Sequence, residues 1–181
     1  MATLGGIDTR WLYLALVALV AAERLVELAV TRRNVARLLA RGGRPVGDEH
    51  YGAMVAVHTA LLVAAPLEVW LLARPFVAPL ALAMTALLAL TMALRYWVIA
   101  TLGERWTTRV VVVPGEPLVA RGPYRFLRHP NYLGVALEGA ALPLVHTAWW
   151  TAIGFAVANF FVLRTRIRVE DEALGRSRGA R

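Results

Sequence analysis

Residues 121–134 read RGPYRFLRHPNYLG, and this stretch decides how the second half of the chain folds. It places two X-Pro breaks, two tyrosines, three arginines and one histidine between a valine-rich segment and an apolar helix pattern. Gly122-Pro123 predicts a turn, and Pro130 suits the first position of a helix starting near Asn131, because its missing N–H is not needed there. The free amides of such a helix start favour an anion, such as a carboxylate, as the bound group.

Two interpretations fit these residues. In the first, they form an interfacial re-entry loop, with arginines for lipid phosphates, tyrosines in the headgroup belt and a proline that starts a helix. In the second, they form a functional site. The concentration of polar and aromatic groups beside a lone His129 favours the site, since loops often carry function and a turn has no need of a histidine.

The composition is that of a membrane protein. The 181 residues are 59% hydrophobic with a mean hydropathy of +0.56, which is too apolar for a water-soluble domain. All 20 basic residues are arginine, and they cluster beside apolar segments, which indicates membrane topology and anionic lipid instead of nucleic acid. The absence of cysteine excludes a disulfide framework, a thiolate metal site and a cysteine nucleophile, and we predict no metal.

The sequence predicts an all-α integral membrane fold with about five transmembrane helices. Segments 11–30, 51–72 and 77–100 each approach the roughly 20 apolar residues that a span needs. The first lacks the basic region and cleavage site of a signal peptide, so we expect a retained helix. The loop after it holds an arginine cluster, formed by Arg32, Arg33, Arg37, Arg41 and Arg44. By the positive-inside rule this loop is cytoplasmic and the N-terminus lies outside.

The apolar run at residues 132–163 is long for one span and short for two. A second arginine cluster follows it, formed by Arg164, Arg166, Arg168, Arg176, Arg178 and Arg181. A single helix would place this cluster outside, so the positive-inside rule predicts a helical hairpin that turns near residues 143–150. The result is a multi-pass protein of the inner cell membrane with its C-terminus inside.

Between these parts, residues 101–130 predict a small cytoplasmic region of mixed character. Residues 106–113 have the β-branched composition of a strand, Pro114-Gly115 predicts a turn, and residues 118–120 are the expected partner strand. This hairpin would lie as a lid against the cytoplasmic surface of the membrane.

Several ionisable residues fall inside predicted spans, where such residues usually face the bundle interior. Glu23, Arg24 and Glu27 favour a structural ion pair over catalysis. His58 and Glu68 favour a bond to a neighbouring helix. Glu138 could face the site or pair with an arginine, and the sequence leaves both alternatives open.

A second constellation lies near the C-terminus. Arg166 and Glu170 are spaced i, i+4, as are Glu170 and Leu174, so an arginine and a glutamate share one helix face with an apolar anchor. Alone, this pattern is typical of a solvated helix end with weak charge pairs. Together with the Arg-His-Pro loop on the same side of the membrane, it predicts the second wall of a pocket.

At these two motifs the sequence resembles the isoprenylcysteine carboxyl methyltransferase family and its relatives among membrane phospholipid methyltransferases. The matching residues are Gly122-Pro123-Tyr124, Arg128-His129-Pro130-Asn131-Tyr132 with Gly134, Arg166-Ile167, Glu170-Asp171 and Leu174. The resemblance covers about the C-terminal half, and the first half matches only in its apolar pattern. Within the family the chain is most similar to bacterial members that accompany polyketide synthases and O-methylate lipophilic pyrones, an alkylpyrone O-methyltransferase-like subgroup.

The resemblance implies one integral membrane methyltransferase domain over residues 1–181, with three spans in 11–100 and the cofactor-binding catalytic half in 101–181. It implies the cofactor S-adenosylmethionine and catalytic roles for Arg166 and Glu170. The implied cofactor-binding residues are Gly122, Pro123, Tyr124, Arg128, His129, Pro130, Tyr132, Gly134, Glu170 and Asp171. Asp171 departs from the family, in which a longer glutamate is common, and Glu172 lies on a different helix face.

The implied reaction is methyl transfer to an oxygen, either a carboxylate or an enol or phenol hydroxyl. The substrate would be a lipophilic small molecule or a prenylated compound that enters from the bilayer. Membrane lipids are the other expected partners, and neither nucleic acid nor an obligate protein partner is expected. The alternatives are a phospholipid N-methyltransferase, an NADPH-dependent membrane reductase, and a non-enzymatic scaffold whose arginines bind anionic lipid.

Overall fold

Five long α-helices make up most of the computed structural model, which describes residues 2–175. The helices are Thr9–Ala40 (α1), Tyr51–Leu71 (α2), Ala78–Leu102 (α3), Pro130–Leu144 (α4) and Trp149–Ala173 (α5). The strands are Thr3–Leu4 (β1), Ile7–Asp8 (β2), Arg44–Val46 (β3) and Val110–Val112 (β4). The predicted all-helical architecture and the terminal helical hairpin are confirmed. Three residues of the second arginine cluster lie outside the described residues, namely Arg176, Arg178 and Arg181.

Two segments are long and apolar enough to cross a membrane, Asp48–Leu71 and Ala78–Arg105. They correspond to the second and third predicted spans. The other three helices differ in character: α1 carries charged residues in its middle, α4 has only 15 residues, and α5 is charged in its last third. The count of five membrane spans therefore stays a prediction.

The prediction that the chain leaves its first helix near Val30 is wrong. Helix α1 continues through the arginine cluster to Ala40. Arginine, leucine and alanine are good helix formers, and no glycine or proline interrupts them before Gly42. The helix ends at a turn in which Gly42 has a φ of +82° and the Gly43 amide donates to the Leu38 carbonyl at 2.8 Å.

The predicted partner of the valine-rich strand is also wrong. Strand β4 pairs antiparallel with β3, with Val110 opposite Val46, and not with residues 118–120. Pro114 and Gly115 do form the predicted turn. Strand β3 follows directly after α1, so the end of that helix brings a free strand edge to β4.

Helix α4 lies between α3 and α5 and packs on both. Gly139 is required for the contact with α5, because a Cβ there would collide with the buried ring of Phe155. A Cβ on Gly134 would make only an ordinary contact with the Thr91 carbonyl of α3, at 3.9 Å.

Five charged side chains form a network between α1, α3 and α4, and three of them, Glu27, Arg95 and Glu138, are buried. On α1, Arg24 lies 2.6 Å from both Glu23 and Glu27. Arg95 of α3 donates to Glu138 of α4 at 2.8 Å and lies 3.4 Å from Glu27. Glu138 therefore pairs with an arginine, which decides between the two alternatives that the sequence left open. This network ties α1 to the helices that carry the second half of the chain.

Glu68 bonds to a neighbouring helix as predicted, whereas the hydrogen bond of His58 stays within its own helix. Glu68 of α2 accepts hydrogen bonds from the amides of Trp150 and Thr151, at 3.1 and 2.7 Å, and so caps the start of α5. It also accepts from Arg74 at 2.8 Å. His58 donates from Nδ1 to the Met54 carbonyl at 2.8 Å.

Candidate functional site

A cavity of about 190 Å³ lies where the end of α3, the start of α4 and the end of α5 meet. Both sequence motifs contribute to it. The lining residues from the motifs are Tyr124, Arg128, His129, Asn131, Tyr132, Arg166, Glu170 and Leu174. The prediction that the two motifs form the walls of one pocket is therefore confirmed.

The opposite wall comes from the segment around β4, with additional apolar side chains from α1 and α3. Its lining residues include Leu38, Val98, Leu102, Arg105, Trp106, Arg109 and Glu116. The sequence predicted a lid in this region but assigned no site residue to it. The sequence did contain a signal, because charged residues flank the valine run on both sides, with Arg105 and Arg109 before it and Glu116 after it.

Two hydrogen bonds join the motifs across the α4–α5 contact. The Tyr132 hydroxyl donates to Glu170 Oε2 at 2.5 Å, and His129 Nε2 lies 3.1 Å from Asp171 Oδ1. Because a carboxylate only accepts hydrogen bonds, His129 donates from Nε2, which leaves Nδ1 towards Glu170 Oε1 at 3.8 Å. The His129 ring also stacks on Tyr132 with an interplanar angle of 16°. Glu170 thus holds the Tyr132 ring in place, and Asp171 holds the His129 ring.

Arg166 is buried, with 9% of its surface exposed, and its guanidinium is fixed from two directions. It donates from Nη2 to the Thr108 carbonyl at 2.8 Å and lies 5.8 Å from the centre of the Tyr132 ring. Such a rigid, buried arginine can orient a carboxylate or another anionic oxygen.

Three buried polar atoms of lining residues have no hydrogen-bond partner among the residues that the structure describes. They are Trp106 Nε1, Asn131 Oδ1 and Arg166 Nε. A buried donor or acceptor without a partner costs free energy, so nearly all such groups in native proteins are satisfied by protein, water or ligand. Two donors and one acceptor around one cavity are the arrangement that a polar ligand would complete.

Five of the predicted cofactor-binding residues do not line the cavity: Gly122, Pro123, Pro130, Gly134 and Asp171. Three of the five support the residues around the cavity instead. Gly122 has a φ of +59°, and a Cβ there would lie 2.9 Å from Thr101 Cγ2, so the turn can approach α3 only with glycine. Pro123 is buried beneath the turn, and Asp171 acts through His129.

The start of α4 offers fewer free amides than the sequence suggested. Pro130 occupies the first helical position as predicted and has no N–H. The amides of Tyr132 and Leu133 both donate to the His129 carbonyl, at 3.2 and 3.3 Å. Of these first four residues, Asn131 alone keeps an amide without an acceptor among the described residues. The predicted multi-amide anion site is therefore reduced to a single donor.

A family model matches residues 81–176, which include both motifs and the segment around β4. Its description is the isoprenylcysteine carboxyl methyltransferase (ICMT) family. The match begins inside α3 and leaves α1 and α2 outside.

Two relatives match most of the chain. The Bacillus subtilis (strain 168) protein named Uncharacterized protein YpbQ is 35% identical over 161 residues, which are 88% of this chain and 94% of that protein. A Haemophilus influenzae (strain ATCC 51907 / DSM 11121 / KW20 / Rd) protein, also named Uncharacterized protein, is 27% identical over 158 residues, or 87% and 91%. No solved structure matches the chain.

Proposed function

Because this chain belongs to the isoprenylcysteine carboxyl methyltransferase family, a family of membrane methyltransferases, we propose that it transfers a methyl group from S-adenosylmethionine to an oxygen of a lipophilic substrate. The observation that carries this proposal is the cavity between the two motifs, with its three unpartnered polar atoms. Both motifs and all three atoms lie within the residues that match the family.

The residues present fit the proposed cofactor. S-adenosylmethionine has an α-carboxylate, an α-ammonium, a sulfonium and an adenine. The exposed Arg128 is a donor suited to the carboxylate, and Glu170 is an acid suited to a cation. Asn131 Oδ1 and Trp106 Nε1 can bond an acceptor–donor edge such as that of adenine.

The cavity has to enlarge for binding. Its volume of about 190 Å³ is below the roughly 300–1,000 Å³ typical of ligand sites. The segment after β4 is the part able to move, since Pro117 and Leu118 are exposed and residues 117–120 have no regular structure. Glu116 holds this segment by ion pairs to Arg41 and to Arg105, the latter at 2.8 Å. We propose that breaking these two exposed pairs opens the site.

The bound cofactor supplies an electrophilic methyl group on a cationic sulfur. Around it, Tyr132 holds Glu170 by the 2.5 Å hydrogen bond, so that the carboxylate stays oriented towards the cavity. Arg166 would orient the acceptor oxygen, because its guanidinium is already fixed by Thr108. Alignment of the acceptor and exclusion of water supply much of the rate of such a displacement.

The protonation chemistry depends on the acceptor. A carboxylate acceptor is already anionic and needs only the arginine. For an enol or phenol, a base must take the hydroxyl proton. His129 is suited to this role, because its bond to Asp171 leaves Nδ1 as the free nitrogen, and Glu170 lies beside it. Four arginines and two glutamates line the cavity, an excess of positive charge that favours an anionic acceptor.

We also propose that all five long helices cross the inner membrane, with the pocket on the cytoplasmic side. The distribution of arginines supports this orientation: Arg10 and Arg74 lie at the end of the bundle opposite the pocket, and most of the others lie at the pocket end. Since the chain has no cysteine, single cysteines introduced at Glu49 and at Ala73 can be labelled separately from either side of the membrane. Labelling of Glu49→Cys from the outside would contradict this orientation.

The reaction can be tested with S-adenosylmethionine carrying a tritiated methyl group. Purified protein would be incubated with it and with a total lipid extract of the expression host. We expect label in the lipid phase that Glu170→Ala and His129→Ala abolish. Glu172→Ala and His50→Ala are matched controls, since Glu172 is exposed, His50 is partly exposed, and neither lines the cavity.

Alkali treatment of the labelled product separates the acceptor classes. A methyl ester releases volatile methanol, whereas an enol or phenol ether and an N-methyl group retain the label under mild alkali. Label found in phospholipid amine would overturn the oxygen acceptor and favour N-methylation. No label in any fraction, with intact protein, would count against methyl transfer to lipids.

A further inference from the structure

One face of α1 carries a line of buried side chains beside the pocket wall. Thr31, Asn34 and Leu38 are separated by three and four residues, so they lie on the same side of the helix. All three are almost fully buried, with 4%, 5% and 2% of their surfaces exposed. Leu38 lines the cavity directly. This face of α1 is outside the residues that match the family.

Thr31 and Asn34 bond to the backbone of the wall. Asn34 Nδ2 donates to the Trp106 carbonyl at 2.8 Å and to the Gly103 carbonyl at 3.3 Å. Thr31 Oγ1 accepts from the Thr108 amide at 3.2 Å. Residues 106–109 belong to neither a helix nor a strand, so their buried backbone groups need side-chain partners. The two polar residues of α1 provide them.

Thr108 connects α1 to the arginine of the pocket. Its amide donates to Thr31, and its carbonyl accepts from Arg166 Nη2 at 2.8 Å. Its hydroxyl lies 3.1 Å from the Tyr51 hydroxyl of α2. A single residue is thus held by α1 and α2 while it fixes a side chain of α5. A shift of Thr108 would therefore displace an acceptor that holds the Arg166 guanidinium.

We propose that Thr31 and Asn34 are positioning residues, which set Arg166 through Thr108 and hold Trp106 against the cavity. The part of this proposal that concerns the cofactor rests on the proposed function; the part that concerns the wall does not. It assigns α1 a direct role in the pocket, although the helix lies outside the family match.

The test compares Thr31→Val with Thr31→Ser. Valine keeps the shape of threonine but leaves the Thr108 amide without an acceptor, and serine keeps the hydroxyl. Thr91→Val is the matched control: Thr91 is equally buried, but its hydroxyl donates to the Leu88 carbonyl in its own helix. Amide hydrogen exchange of residues 106–112 and titration with S-adenosylhomocysteine are measured on each variant.

We expect Thr31→Val to speed exchange at residues 106–112 about tenfold and to weaken S-adenosylhomocysteine binding to a similar extent, since the loss of one buried hydrogen bond is worth about a factor of ten. Thr31→Ser and Thr91→Val should stay near the wild type. Equal exchange and binding in the Thr31→Val and Thr91→Val proteins would overturn the proposal.

Two further outcomes separate this proposal from the function. If the wild type binds no S-adenosylhomocysteine, the proposed cofactor is wrong, and the exchange rates still decide whether α1 holds the wall. If Thr31→Val does not fold, Asn34→Leu tests the second bond from α1, because it keeps roughly the size of the side chain and removes the donor to the Trp106 carbonyl without burying a charge. Unchanged exchange in that variant would also contradict the proposal.

Discussion

Replacing Gly139 with alanine tests how closely α4 and α5 must approach for the pocket to form. A Cβ on Gly139 would lie 2.7 Å from Phe155 Cζ and closer still to Cε1 and Cδ1, whereas real Cβ atoms essentially never come within 3.0 Å of such an atom. Phe155 is 6% exposed and cannot easily turn away, because His58 packs edge-on against its ring at 5.4 Å. The two helices must therefore separate.

The expected cost follows from two opposing terms. Overpacking a buried site typically costs about 1–3 kcal/mol, and the severity of this contact places Gly139→Ala at the upper end. Alanine recovers about 0.8–1 kcal/mol of helix propensity relative to glycine. We therefore expect a net destabilisation of about 2 kcal/mol. Cofactor affinity should fall as well, because the bonds from Tyr132 to Glu170 and from His129 to Asp171 cross the same helix contact.

The assay is the free energy of unfolding of the detergent-purified protein, with S-adenosylhomocysteine titration alongside. Gly154→Ala is the matched control, since Gly154 lies on α5 and a Cβ there would meet nothing within 4 Å. It should stabilise the protein by about 0.8–1 kcal/mol. Equal stability of the two alanine variants would refute the packing argument. In a Phe155→Ala background, Gly139→Ala should lose its penalty, because the colliding ring is gone.

Three other perturbations test the buried polar groups. Glu138→Ala should destabilise the protein by about 3–5 kcal/mol, since it removes a partner of the buried Arg95. Glu68→Gln should cost about 1–2 kcal/mol in thermal or denaturant unfolding, because the acid both caps α5 and pairs with Arg74. Burial lowers the pKa of His146, so the unfolded chain binds more protons than the folded protein below pH 6.5. Stability should therefore fall as the pH drops through 6.5, and His146→Gln should remove that part of the slope.

Each of these has its own contradicting result. Replacing both partners of a buried ion pair by apolar residues is often tolerated. If the double variant Glu138→Leu, Arg95→Leu is as unstable as Glu138→Ala, the unpaired charge of Arg95 is not the cause of the instability. A Glu68→Gln protein with an unchanged unfolding midpoint would remove the capping role. An identical pH slope in wild type and His146→Gln would assign the slope to other groups.

Local rules predicted the elements near Pro130 correctly. A proline at the first helical position, a turn at Gly122-Pro123 and a hairpin between α4 and α5 each depend on a few neighbouring residues or on charge, and the structure has all three. The same rules failed at α1, because positive charge was taken as the end of a helix. Charge reports the position of the membrane surface, whereas a helix ends only where its backbone geometry is broken, here at Gly42.

The pocket wall could not be predicted because its contacts are distant in sequence. In the β3–β4 ladder Arg44 lies opposite Val112, 68 residues away, and Asn34 meets Trp106 across 72 residues. No periodicity marks such pairs. For the same reason the sequence left the role of Glu138 open, since its partner Arg95 lies on another helix. The motif residues were found because their chemistry is concentrated in two short stretches.

The most direct test of the central claim is calorimetric titration of the detergent-purified protein with S-adenosylhomocysteine and, in parallel, with NADPH. We expect binding of S-adenosylhomocysteine that His129→Ala and Glu170→Ala abolish while both variants remain folded, and that Glu172→Ala leaves unchanged. Binding of NADPH in preference, or no binding of S-adenosylhomocysteine by the folded wild type, would contradict a methyltransferase site between the two motifs.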